Sequence, residues 1–159
     1  MGKIINLINL NDELHTLKKK KLSIVLVGGC FDILHIGHIR FLKEAKKYGD
    51  VLLILLEDDK KVTSLKGENR PFFIQNERAE MLISLIHTDY VILLPVLKND
   101  EEYSNLVKQI KPNIIAVTEN DPHLEKKKSQ SRNSGSEFIV IPFIKTYSSS
   151  KLAKVIGIE

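Results

Sequence analysis

The chain has 159 residues, of which 43% are hydrophobic and 28% charged, with a net charge of +4. That balance describes one globular domain able to bury a core of its own. A single cysteine, Cys30, excludes a disulfide framework, and no run reaches the ~20 apolar residues of a membrane-spanning helix.

No secretory leader is legible at the N-terminus, and "MGKIIN" lacks the Ser or Thr that a myristoylation signal carries. The expected location is therefore the cytoplasm. Much of the positive charge lies in "KKKK" (Lys18–Lys21) and "EKKK" (Glu125–Lys128), runs that read as solvated faces. No basic stripe is interleaved with aromatics, so neither nucleic acid nor membrane is an expected partner. The excess charge suits phosphorylated small molecules.

In chain order, "NDELHTLKKK" opens on capping residues and reads as a short polar helix. "LSIVLVGG" follows, an apolar run that ends in Gly28 and Gly29. Four more such runs come later: Val51–Leu56, Tyr90–Pro95, Asn113–Thr118 and Phe138–Pro142. Apolar runs without polar alternation predict strands covered on both faces, as in a parallel sheet. Helical spacing lies between them, in "GHIRFLKEAKKY", "QNERAEMLISLI" and "EEYSNLVKQI". "EKKKSQSRNSGS" reads as a mobile loop or frayed helix, and "SSSKLAKVIG" as a closing helix that serines can cap. The alternation predicts an α/β fold: a doubly wound, Rossmann-like parallel sheet of about five strands with helices on both faces. Residues 1–20 are expected as a helical extension and 21–159 as the α/β core of a single domain.

In such a sheet, ligands sit beyond the carboxyl ends of the strands. The usual phosphate loops are missing: G-x-x-x-x-G-K-[ST] is absent, and Gly28, Gly29 and Gly37 do not fit G-x-G-x-x-G. "GGCFDILHIGH" (Gly28–His38) offers another device. The two glycines let backbone approach a ligand, and His35, Gly37 and His38 fall where a helix begins, its free amides and dipole favouring an anion. Two imidazoles three residues apart, with a glycine between, can donate to a phosphate.

G-x-F-D-x-x-H-x-G-H resembles the signature of the cytidylyltransferase-like nucleotidyltransferases, which move a nucleoside monophosphate from a nucleoside triphosphate to a phosphorylated acceptor. Synthetases that load tRNA share H-I-G-H as distant relatives, but need tRNA-binding parts that are not legible here. "LEDDKKVTSLKGENRP", "NERAEML" and "PFIKTYSSSKL" are similar to segments of the heptose-phosphate adenylyltransferase branch, the ADP-heptose synthases. The likeness covers nearly the whole chain. It implies catalytic roles for His35, His38, Lys66 and Arg78, and nucleotide contacts from Gly28, Gly29, Cys30, Phe31, Asp32, Gly37, Asp121, Ser148, Ser149 and Ser150. It further implies acceptor contacts from Asp59 and Arg70.

Mg²⁺ is expected to arrive with ATP (or CTP), held by phosphates and water, with no protein metal site. The branch usually has V-K-G-G-D-Y after the fourth strand, where this chain reads "VTENDP" (Val117–Pro122). That departure leaves acceptor and base open, with glycerol 3-phosphate cytidylyltransfer and FMN adenylyltransfer as alternatives. A non-catalytic nucleotide-binding module is the alternative of another class. Family members commonly form homodimers, although no interface signature is legible.

Overall fold

The computed structural model describes residues 2–143 and 149–157. Six strands form its centre: β1 (Lys3–Asn6), β2 (Ile24–Gly29), β3 (Val51–Leu56), β4 (Tyr90–Leu93), β5 (Ile114–Thr118) and β6 (Glu137–Ile141). They make one parallel sheet in the order β1-β4-β3-β2-β5-β6. The five apolar runs supply β2 to β6. The expectation of about five strands is corrected to six by β1, which lies in the segment read as a helical extension. Of its four residues only Ile5 is buried, so no apolar run marks it. Its pairing with β4, from Lys3↔Tyr90 to Asn6↔Leu93, creates the strand.

The helices are α1 (Leu10–Lys19), α2 (Ile36–Lys46), α3 (Asp59–Lys66), α4 (Gln75–Ile83), α5 (Asp100–Ile110), α6 (Leu124–Ser134) and α7 (Ser149–Val155). Successive side chains of a strand point to opposite faces, and two separate cores result. Leu26, Leu53, Leu55, Ile115 and Val117 meet Leu10, Leu14 and Leu17 of α1 and Leu106, Val107 and Ile110 of α5. Val25, Val27, Leu52, Ile54 and Ala116 meet Phe41, Leu42 and Ala45 of α2 and Ala79 and Leu82 of α4. Buried on both faces, β3 has no exposed residue and can be apolar throughout.

Two further helices stand in "LEDDKKVTSLKGENRP" and in "EKKKSQSRNSGS", the stretch read as a mobile loop or frayed helix. Asp58 starts α3 by accepting the amides of Lys60 (2.8 Å) and Lys61 (3.2 Å), and Gly67, at φ 107°, stops it. The polar α6 carries no apolar stripe, yet Ser131 and Ser134 are buried, and small side chains there let the helix lie close to its neighbours. Left-handed Gly135 ends it at φ 72°. Helix α4 ends at Ile83, so Ile86, read as part of its apolar face, is 90% exposed.

This order fixes where a ligand can sit. From β2 the chain winds through β3 and β4 to one side, then crosses to β5 and β6 on the other. The helices that follow β2 and β5 leave in opposite directions, opening a crevice at the strand ends between them.

Candidate functional site

Strand β2 delivers Gly28 and Gly29 to that crevice, and the chain turns sharply after them. Phe31 takes φ 43°, the left-handed region, which costs a non-glycine residue on the order of 1 kcal/mol or more. The turn aims the Phe31 ring at His38, with centroids 5.2 Å apart. His35 then caps α2 in extended backbone, its Nδ1 accepting the Gly37 amide at 3.1 Å. That bond places the neutral ring's proton on Nε2, leaving Nε2–H as a donor.

The His35 and His38 rings stack, with centroids 3.8 Å apart and planes 29° from parallel. Burial, then the neighbouring His35, then Lys66 push His38 down to about 3. Burial and Lys66 push His35 down as well. Both rings are therefore neutral near pH 7, and a stack this close does not place two cations together. His38 Nδ1 is buried and has no hydrogen-bond partner among the described residues. Burial also raises the Cys30 thiol, with Lys66 the largest opposing influence, which keeps it a thiol rather than a nucleophilic thiolate.

These residues line a cavity of about 380 Å³. One wall is Gly28, Gly29, Cys30, Phe31, His35, Gly37, His38 and Phe41, and Lys66 projects from the end of α3. The opposite wall is the end of β5 with the loop after it: Ala116, Val117, Thr118, Asn120, Asp121 and Pro122, with Pro142 and Phe143 beyond β6. Asp121 Oδ2 accepts Lys127 Nζ of α6 at 2.7 Å, and the same ammonium lies 3.5 Å from the Gly28 carbonyl. A cavity of about 400 Å³ at the far end of the sheet is lined by Lys18, Lys21 and Lys111 among others. It lies at the amino ends of the strands and lacks such convergent polar groups, so the crevice is the stronger candidate.

Other residues expected at the site lie behind it. Asp32 is 0% and Arg70 2% exposed. They form a buried ion pair, and the second Asp32 oxygen accepts the Phe72 amide at 2.8 Å. The pair pins the segment after α3 to the loop after β2. Arg78 is likewise 0% exposed. Its guanidinium donates to the carbonyls of Cys30, Phe73 and Glu57 and to the Asp59 carboxylate. It fastens the ends of β2 and β3 together and does not line the cavity. Ser148 lies outside the described residues, while Ser149 and Ser150 open α7.

Thr118, Asn120, Pro122, Pro142, Phe143 and Phe41 were not legible as site residues, although "VTENDP" stands out as a departure in the loop that became the far wall. Among the described residues no group of three or more His, Cys, Asp or Glu could hold a metal ion. None of the helices there is long and apolar enough to cross a membrane.

Fold and cavity together define a Rossmann-like α/β protein with a polyanion-suited site at its switch point. The sequence profile described as cytidylyltransferase-like matches residues 26–154. The chain belongs to this family of nucleotidyltransferases. Curated relatives include Bifunctional protein HldE of Aliarcobacter butzleri, 47% identical over 65% of this chain and 20% of that protein. Its namesake in Helicobacter hepaticus is 37% identical over 98% of this chain and 30% of that protein. The chain thus matches no more than about a third of the length of these relatives. A solved lipopolysaccharide core biosynthesis protein from Thermoplasma volcanium superposes with a TM-score of 0.62 at 28% identity, covering 79% of this chain and 98% of that one. A pantoate-beta-alanine ligase from Francisella tularensis shares the fold, with a TM-score of 0.61 at 18% identity over 92% of this chain and 69% of that one.

Proposed function

We propose that this chain is a cytoplasmic adenylyltransferase that transfers AMP from ATP to a phosphorylated acceptor, a sugar 1-phosphate such as heptose 1-phosphate, and releases pyrophosphate. The observation that carries this reading is the stacked, neutral His35–His38 pair at the start of α2, facing a cavity that Lys66 also lines. The likeness to the bifunctional HldE proteins and to a lipopolysaccharide core biosynthesis protein supports the acceptor class.

The acceptor's phosphate oxygen attacks the α-phosphorus; one P–O bond forms, the bond to the β-phosphate breaks, and pyrophosphate departs with its electron pair. The nucleophile arrives ionised, so no general base and no covalent enzyme intermediate is required. Catalysis is then positioning and charge stabilisation. His35, through Nε2, and His38 beside it donate to the phosphates, and the Lys66 cation and the N-terminus of α2 meet their charge. Asp32, Arg70, Arg78 and Asp59 act behind the cavity, holding the loops that carry these groups.

The carboxylates here do not fit a resident metal. Asp32 is paired to Arg70 and Asp121 to Lys127. Mg²⁺ accompanying the nucleotide would be held by phosphates and water.

The test is pyrophosphate release over a grid of ATP and CTP against heptose 1-phosphate, other sugar 1-phosphates, glycerol 3-phosphate and FMN. Release with ATP and a sugar 1-phosphate is expected, falling about 10²–10³-fold in His38→Ala, the loss typical of one preorganised donor. Nucleotide binding without release from any acceptor would refute the reading.

A further inference from the structure

On the α5–α6 side of the crevice, away from the histidines, four polar side chains meet that were not among the expected site residues. Glu57 follows β3, two positions after Leu55, and points to the same face, the one covered by α1 and α5. Its amide donates to the Gly29 carbonyl at 3.2 Å, which sets it beside the cavity wall. Tyr103 of α5 donates its hydroxyl to Glu57 Oε2 at 2.8 Å. Lys61 of α3 stands over the Tyr103 ring, 5.8 Å from its centroid. Lys127 of α6 reaches the Gly28 carbonyl from the other flank. The cluster and the cavity thus share Gly28 and Gly29 as a common rim.

The fold does not require a carboxylate here. Burial raises the Glu57 carboxyl, against the Tyr103 hydrogen bond and the Lys61 and Lys127 charges that lower it. Among the described residues no ion pair holds Glu57, and its Oε1 accepts no hydrogen bond. A leucine would pack against α5 at lower cost. A partly desolvated acid beside two lysines and a tyrosine, at the lip of a cavity, has the marks of a recognition site.

Resting on the reading of the chain as a nucleotidyltransferase, we propose that Glu57, Tyr103, Lys61 and Lys127 form the acceptor subsite, built for a phosphorylated polyol. The lysines face its phosphate, and the carboxylate and phenol hydrogen-bond its hydroxyls. The placement suits the chemistry. In an in-line displacement the nucleophile enters opposite the leaving group. With the pyrophosphate drawn towards the histidines and Lys66, the acceptor enters from the α5–α6 side. This assigns acceptor binding to solvent-reachable groups, whereas Arg70 is buried against Asp32.

The test is steady-state kinetics of Glu57→Gln, Tyr103→Phe and Lys61→Met in the full chain, using ATP and whichever sugar phosphate the wild type accepts. Each change is close to isosteric, and thermal melts establish that each variant folds. KM for the sugar phosphate is expected to rise about tenfold or more, as the loss of one hydrogen bond to a charged group implies. KM for ATP should stay within about twofold, since Glu57, Tyr103 and Lys61 do not line the cavity that holds His35, His38 and Lys66. Folded variants with unchanged acceptor KM, or with ATP KM rising in step, would overturn the subsite and leave the enzymatic reading intact. A wild type that releases no pyrophosphate with any acceptor would overturn both.

Discussion

Acidification should destabilise this protein through His38, and the size of the effect follows from its surroundings. In the unfolded chain a histidine titrates near 6.5, whereas in the folded protein His38 is pushed down to about 3 by burial, His35 and Lys66. Between those values the unfolded chain binds a proton that the folded ring refuses. Stability contributed by the neutral ring is therefore complete above about pH 6.5 and lost as pH falls, and the loss levels off near pH 3. At pH 5, about 1.5 units below the unfolded value, it amounts to about 2 kcal/mol. His35, also lowered, acts in the same direction. Glu57, raised by burial, acts in the opposite one, so a bare wild-type slope would mix signs. The measurement is urea unfolding at pH 7.5 and pH 5 of the wild type and of His38→Asn, which keeps a polar side chain but cannot titrate. The other groups are common to both proteins. The wild type should lose about 2 kcal/mol more than the variant across that interval. Parallel losses would show that His38 is charged or solvated in the folded state, and the neutral stacked pair would be wrong.

Three further outcomes concern the groups behind the cavity. Arg78→Met leaves three backbone carbonyls and the Asp59 carboxylate without their donor, and should lower unfolding free energy by about 3–5 kcal/mol in denaturant titrations. Asp32→Asn is nearly isosteric but strands the buried Arg70 charge; a loss of similar size, about 3–5 kcal/mol, is expected, and a shift below 1 kcal/mol would mean the pair is not buried as described. Gly67→Ala isolates backbone strain, because an added Cβ meets nothing within 4 Å while φ is 107°. It should cost about 1–3 kcal/mol and raise the KM for ATP by moving Lys66, the preceding residue.

The strands of the core and the chemistry at the mouth of α2 are written locally. Continuous apolar runs mark β2 to β5 because they are covered on both faces, and mark β6 although this edge strand leaves Val140 exposed; G-x-F-D-x-x-H-x-G-H marks the strand-to-helix turn where histidines meet an anion-favouring helix start. Strand β1 escaped such reading because one buried residue in four makes no pattern, and α6 was legible only as a mobile loop or frayed helix because its buried residues are serines. Only the tertiary structure separated residues that line the cavity from those that brace it. Arg70 and Asp32 are 38 positions apart, Arg78 and Cys30 48, and Tyr103 and Glu57 46. A charged side chain looks the same in sequence whether it faces a ligand or a partner brought near by the fold. Burial decides between them, and burial arises only when distant segments pack together.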